Sequence, residues 1–121
     1  MIILATGSEV EIAVAVAANL EQQGIGADVV SLPCTEAFDA QPAAYREDLL
    51  PDVSNREILR VSIEAGTTFG WERYTGLHGL RIGIDRFGAS APAPDLYEHF
   101  GLTAPKITSR VLDHMKARNI A

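Results

Sequence analysis

At 121 residues and a net charge of −6, the chain is long enough to bury one sizeable core. It is too acidic to favour a nucleic-acid backbone, whose binding is largely electrostatic and needs a basic face. Its apolar fraction of 47% excludes a disordered tail, and no apolar run approaches the length of a membrane span.

In chain order, IILA at residues 2–5 predicts a buried strand ending at Thr6-Gly7. Ser8-Glu9-Val10-Glu11 then carries the S-x-x-E pattern, in which the Ser8 hydroxyl accepts from the Glu11 amide and the Glu11 carboxylate reaches back to the Ser8 amide. The helix that follows places Ala13, Val16, Ala17 and Leu20 on one face, with Val10 and Val14 beside them, and is expected to stop at Gly24. ADVVSL, residues 27–32, reads as a second strand closed by Pro33. A polar, proline-containing stretch follows, then a helix over about residues 41–50, ended by Pro51.

Residues 58–66 predict a third strand, in which Ile58 or Leu59 alternates with Val61 and Ile63. FGWERYTG supports one or two helical turns before Gly76, and residues 80–85 a fourth strand. A short helix over residues 95–100 stops at Gly101. Thr103 can cap a last helix with Ile107, Val111, Leu112 and Met115 on one stripe. Strands alternating with helices imply an α/β fold: a mostly parallel sheet with helices on both faces, in one domain spanning residues 1–121. Neither an internal repeat nor a linker interrupts it.

The turn ATGSEVEIA has the layout of an anion site, with a strand, Gly7, Ser8 and then a helix N-terminus. It lacks the three glycines of a dinucleotide fingerprint and the lysine of a P-loop. A well-capped helix explains the same residues and carries more weight. Cys34 as a nucleophile would need a cation or helix N-terminus to lower its pKa, and a packed cysteine is the simpler reading. His78, His99 and His114 are scattered, and no metal-ligand spacing occurs.

Glu64 ends a strand and is the acid most suggestive of function; Asp85, followed by Arg86, is the next. A structural hydrogen bond or ion pair is the simpler role for both. Phe69, Trp71 and Tyr74 could plug an interface or close the core. Cys34 is the only cysteine, cannot form an internal disulfide and fits a reducing cytoplasm, while the polar turn after Met1-Ile2-Ile3-Leu4 does not read as a signal peptide.

ILATGSEVEIAVAVAANL, VVSLPCTEAFDAQPAAYREDLLP and IGIDRFGASAPAPDLYEHFGLT, in that order, resemble the C-terminal domain of the transketolase family over about residues 2–115. The resemblance implies a three-layer α/β sandwich of about four to five strands. It implies a parent enzyme that moves a two-carbon ketol unit between sugar phosphates in the pentose phosphate pathway, using thiamine diphosphate and magnesium. It also implies two upstream domains and a second subunit as partners. The family's catalytic residues lie in those upstream domains, so no catalytic, cofactor or metal residue carries over to this chain, which is expected to be inactive alone and to support packing and the dimer.

In the family a short antiparallel strand usually precedes the segment matching residues 2–4. Here the chain opens at Met1, so one sheet edge is expected to be uncovered. Gly88, Gly101, Pro92 and Pro94 read as structural punctuation in the FGASAP stretch. Two other classes remain open: a small-anion module taking a phosphate-bearing ligand at Gly7 and Ser8, and a thiol enzyme or hydrolase on a small α/β scaffold. No membrane or nucleic-acid partner is expected.

Overall fold

The computed structural model describes residues 1–51, 58–85 and 93–118. Four strands, β1 (Ile2–Ala5), β2 (Asp28–Ser31), β3 (Arg60–Ile63) and β4 (Leu80–Ile82), form one sheet in the order β2-β1-β3-β4. All pairings are parallel, and β1 sits in the interior with Ala5 opposite Ser31 on one side and Ile63 on the other. Among the described residues the sheet has no antiparallel member.

The period-two geometry of a strand explains how one short run serves two layers. Ile3 and Ala5 face one side of the sheet, where Val61, Ile63 and Ile82 join them. This side is covered by α1 (Glu9–Glu21), through Ala13, Val16 and Leu20, and by α6 (Ala104–Ala117), through Ile107, Val111 and Met115. Ile2 and Leu4 face the other way, onto Phe38, Trp71 and Tyr74. These come from α2 (Thr35–Asp39), the turn before α4, and α4 (Glu72–Thr75); α3 (Ala43–Leu49) also lies along this side through Leu49. The remaining helix, α5 (Ala93–His99), packs Tyr97 against the α1 layer. Each fully buried aliphatic side chain here contributes on the order of 1.5–3 kcal/mol.

Several expectations need correction. The capping box does not form: Ser8 stands at the N-cap with helical dihedrals, and its hydroxyl makes no cap bond. Instead the hydroxyl donates to the Glu9 carboxylate at 2.9 Å, which removes it from the amide it was expected to serve. Helix α1 ends at Glu21, and Gly24, the expected stop, takes the left-handed φ of +78° two residues after the cap, while the Ile25 amide returns to the Leu20 carbonyl at 3.0 Å. Val14 is exposed, so the buried stripe is narrower than expected and takes in Glu9.

The polar stretch after Pro33 contains the helix α2, which the sequence reading passed over. Its N-cap is Cys34, whose sulfur accepts from the Ala37 amide at 3.4 Å. The third strand takes Leu59, not Ile58, into line with Val61 and Ile63. Strands β3 and β4 are shorter than expected, because their carboxyl ends open into loops that still exchange backbone bonds: Glu64 N to Ile82 O at 3.0 Å and Ile84 N to Gly66 O at 2.7 Å. Thr103 does stand at the N-cap of α6, but its hydroxyl makes no cap bond. Gly101 closes α5 at φ +74°, with the Leu102 amide reaching back to the Tyr97 carbonyl at 2.7 Å. The whole FGASAP stretch, residues 87–92 with Gly88 and Pro92, lies outside the described residues, as does Arg86.

Candidate functional site

In an open parallel sheet, ligands bind beyond the carboxyl ends of the strands where the strand order reverses. Here the chain runs from β1 outward to β2, then returns to place β3 on the other side of β1, so the reversal lies between β1 and β3. A cleft of about 580 Å³ opens there. Thr6, Leu32 and Glu64, the residues that follow β1, β2 and β3, line it.

Thr6 Oγ1 donates to Glu64 Oε2 across the reversal, joining the two strand ends through their side chains. Glu64 is therefore in the cleft, where the sequence reading placed its strongest acid. Its partner Thr6 reads in sequence only as a strand end, because a contact across 58 positions leaves no local pattern. Cys34 is exposed at the same cleft, with its sulfur engaged in the cap of α2. None of the three histidines lines the cleft, so the thiol has no imidazole base beside it.

The aromatic cluster divides. Trp71 and Tyr74 are buried and meet edge to face, with ring centroids 5.7 Å apart; Phe38 meets Tyr74 likewise at 6.1 Å. Phe69 stands 90% exposed at the lip. The Tyr74 hydroxyl donates to Asp39 at 3.0 Å, and Arg73 pairs with the same carboxylate at 3.1 Å. Burial, then the bond to Asp39, pushes the Tyr74 hydroxyl above its ordinary pKa.

Asp85 has a loop-holding role. Its carboxylate accepts from the Thr68 amide at 2.7 Å and from the hydroxyls of Thr68 and Thr67 at 2.8 and 3.2 Å. The Thr68 amide and hydroxyl hold its carboxyl below the usual carboxylate range. These bonds fix the segment that leads to Phe69.

Gly7 and Ser8 stand at the start of α1, with Gly7 at φ +52°. The sequence reading missed Glu9, which is only 4% exposed there. Its Oε1 accepts from Ser8 at 2.9 Å and from the Tyr97 hydroxyl at 3.1 Å. The positive end of the helix thus already faces a carboxylate of its own chain. The signal was an acid at the first helical position, but its burial depends on Tyr97, 88 residues away.

His78 and His114, read as scattered, do meet. A ring nitrogen of His114 lies 2.9 Å from the His78 carbonyl, and Arg118 donates to the His78 ring, tying the turn before β4 to the end of α6. His99 lies apart, edge-on to Phe100. Among the described residues no three His, Cys, Asp or Glu side chains converge. No helix among them is long and apolar enough to cross a membrane.

An interior first strand, a reversal beside it, helices on both faces and a cleft at the carboxyl edge define an open, doubly wound α/β domain. The chain belongs to the transketolase-like C-terminal domain family, whose model matches residues 1–103. It is 50% identical to the plasmid transketolase of Cupriavidus necator over 90% of this chain and 16% of that protein. It is 47% identical to transketolase 1 of Escherichia coli over 91% of this chain and 16% of the relative. A Pichia stipitis transketolase solved in complex with sedoheptulose-7-phosphate superposes with a TM-score of 0.86 at 39% identity, covering 98% of this chain and 16% of that one. The chain thus spans about one sixth of the length of these relatives.

Proposed function

We propose that residues 1–121 form the C-terminal domain of a transketolase, inactive alone, whose role is to pack against the rest of the parent polypeptide and support its dimer. The parent transfers a two-carbon ketol unit between sugar phosphates, with thiamine diphosphate and a divalent cation held by the portion of the polypeptide outside this chain, in the cytoplasm. The observation that carries this reading is the coverage: identity near one half runs over nine tenths of this chain but only 16% of the relatives. The cleft supports it, since Cys34 and Glu64 line it without a neighbouring imidazole to complete a nucleophile–base pair. The Pichia stipitis complex supports the substrate class.

The test is complementation in trans. The chain alone should give no ketol transfer above buffer with thiamine diphosphate and magnesium. Activity should rise when the chain is added to a parent enzyme truncated before this domain. Turnover by the isolated chain would overturn the reading.

The anion module at Gly7 and Ser8 is the weaker alternative, because the buried Glu9 carboxylate competes for that helix end. Phosphate binding lost in Ser8→Ala would restore it.

A further inference from the structure

The cleft at the strand reversal holds negative charge that the chain leaves unpaired. Its volume of about 580 Å³ falls within the roughly 300–1,000 Å³ of clefts that take drug-sized ligands, whereas the cleft of about 240 Å³ among α2, α3 and α4 falls below it. Two carboxylates line the larger one, Glu64 just after β3 and Glu36 in the first turn of α2. Arg73 lines it too, but its guanidinium pairs with Asp39 at 3.1 Å. The other ion pair among the described residues is Lys106–Glu98, so neither Glu64 nor Glu36 meets a cation there.

Glu64 is half-buried, and its two oxygens differ. Oε2 accepts from the Thr6 hydroxyl, which steadies the carboxylate across the reversal. Oε1 accepts no bond among the described residues, and Gly66 beside it has no side chain to cover it: a Cβ there would stand 3.7 Å from that oxygen. A charge held between low-dielectric walls draws a counter-ion more strongly than the same charge in open water. At the lip, Phe69 stands 90% exposed on a loop that is already tied down. Asp85 accepts from the Thr68 amide at 2.7 Å and from both threonine hydroxyls, and the Phe69 amide donates to the Thr67 hydroxyl at 3.2 Å. The backbone that carries the ring is therefore placed before any ligand arrives, which lowers the ordering cost of binding.

An unpaired carboxylate and an open aromatic face both attract an organic ammonium ion, one through charge and the other through the ring quadrupole. We infer that this cleft binds a small primary amine in its ammonium form. Glu64 Oε1 takes the ammonium, Phe69 covers the aliphatic stem and adds a cation–π contact, and Glu36 deepens the negative field. Because Thr6 already engages Oε2, the carboxylate offers one open oxygen rather than the pair that a guanidinium fork takes, so an ammonium is preferred. The two carboxylates repel anions, so the ligand carries no phosphate. The site belongs to this chain alone and does not rest on ketol transfer by the parent.

Trp71 is the one tryptophan of the 121-residue chain and lines this cleft, so its indole N–H gives a single reporter signal in a proton–nitrogen NMR titration. With n-butylammonium at constant ionic strength, that signal and the Gly70 amide should shift saturably. The neutral analogue n-butanol should not shift them, and n-propylguanidinium should bind at least about threefold more weakly. Glu64→Gln should weaken n-butylammonium binding at least about tenfold. Phe69→Ala, at an exposed position outside the core, should weaken it about two- to fivefold. If Glu64→Gln loses the dispersed spectrum of a folded chain, Phe69→Ala decides. The proposal is overturned by the absence of a saturable shift with n-butylammonium, by an equal response to n-butanol, by tighter binding of n-propylguanidinium, or by a folded variant that binds as wild type does.

Discussion

The hydroxyl of Thr6 donates to the carboxylate of Glu64, and this one side-chain bond spans the reversal of strand order between β1 and β3. It closes the floor of the larger cleft with a pair that needs no ligand. Thr6→Val keeps the shape and removes the donor, leaving Glu64 to water and to its backbone neighbours. A loss of about 1 kcal/mol is expected, typical of one partly solvated hydrogen bond. Urea unfolding checks it, and an unchanged midpoint would mean the bond makes no net contribution.

Asp85 links the loop after β3 to the end of β4 through Thr67 and Thr68. Its folded pKa lies below its ordinary value of 3.8, chiefly because of the Thr68 amide. A group depressed by folding stabilises above its unfolded pKa, and that contribution fades as pH falls through the folded pKa. Asp85→Asn should therefore flatten the acid side of the stability profile below about pH 4. Urea midpoints measured across the acid range would show this as a shallower slope than wild type.

Tyr74 gives the opposite limb. Its pKa is raised from 10.0, first by burial and then by donation to Asp39. Stability from the neutral phenol is complete below the unfolded value and is lost as pH rises through the folded one. Absorbance titration should show a tyrosine component ionising above the ordinary value of 10.0, and Tyr74→Phe should remove it. A titration that is the same in wild type and Tyr74→Phe apart from amplitude would contradict this.

Gly79 and Gly26 make a matched pair. A Cβ at Gly79 would lie 2.5 Å from the Thr75 carbonyl and 2.8 Å from that of Arg60, where no side chain can give way. At Gly26 it would meet nothing within 4 Å, and the backbone needs no left-handed dihedral. Gly79→Ala should cost about 1–3 kcal/mol by overpacking, while Gly26→Ala should be neutral or slightly stabilising. Thermal unfolding of the two variants side by side decides it.

The parts of this fold that could be read from sequence are those whose signal is local and repeated. IILA is buried along its whole length, as a two-faced central strand must be, and Ile107, Val111 and Met115 fall on one helical stripe. What escaped was specified at long range. Cys34 caps α2 with a sulfur, a weak acceptor outside the usual Ser, Thr, Asp and Asn signal. Arg60, a charge within a strand, is buried where the carbonyls of Pro51 and Tyr74, distant in sequence, come to it. The same holds for the candidate site: Glu64 drew attention as a strand-end acid, whereas Thr6 and Arg73 acquire their roles only once the sheet and α4 are assembled.

The interior position of β1 also has a consequence in time. Ile2–Ala5 is made before either strand that covers its edges, and its pairing with β3 is complete only when Ile63, 58 positions later, has joined Ala5. At roughly 5–20 residues per second, translation leaves this apolar segment without its second neighbour for about 3–12 seconds. Over that interval its open backbone groups can pair with other nascent chains or be held by a chaperone. The yield of native chain should therefore depend on the speed of synthesis as well as on final stability.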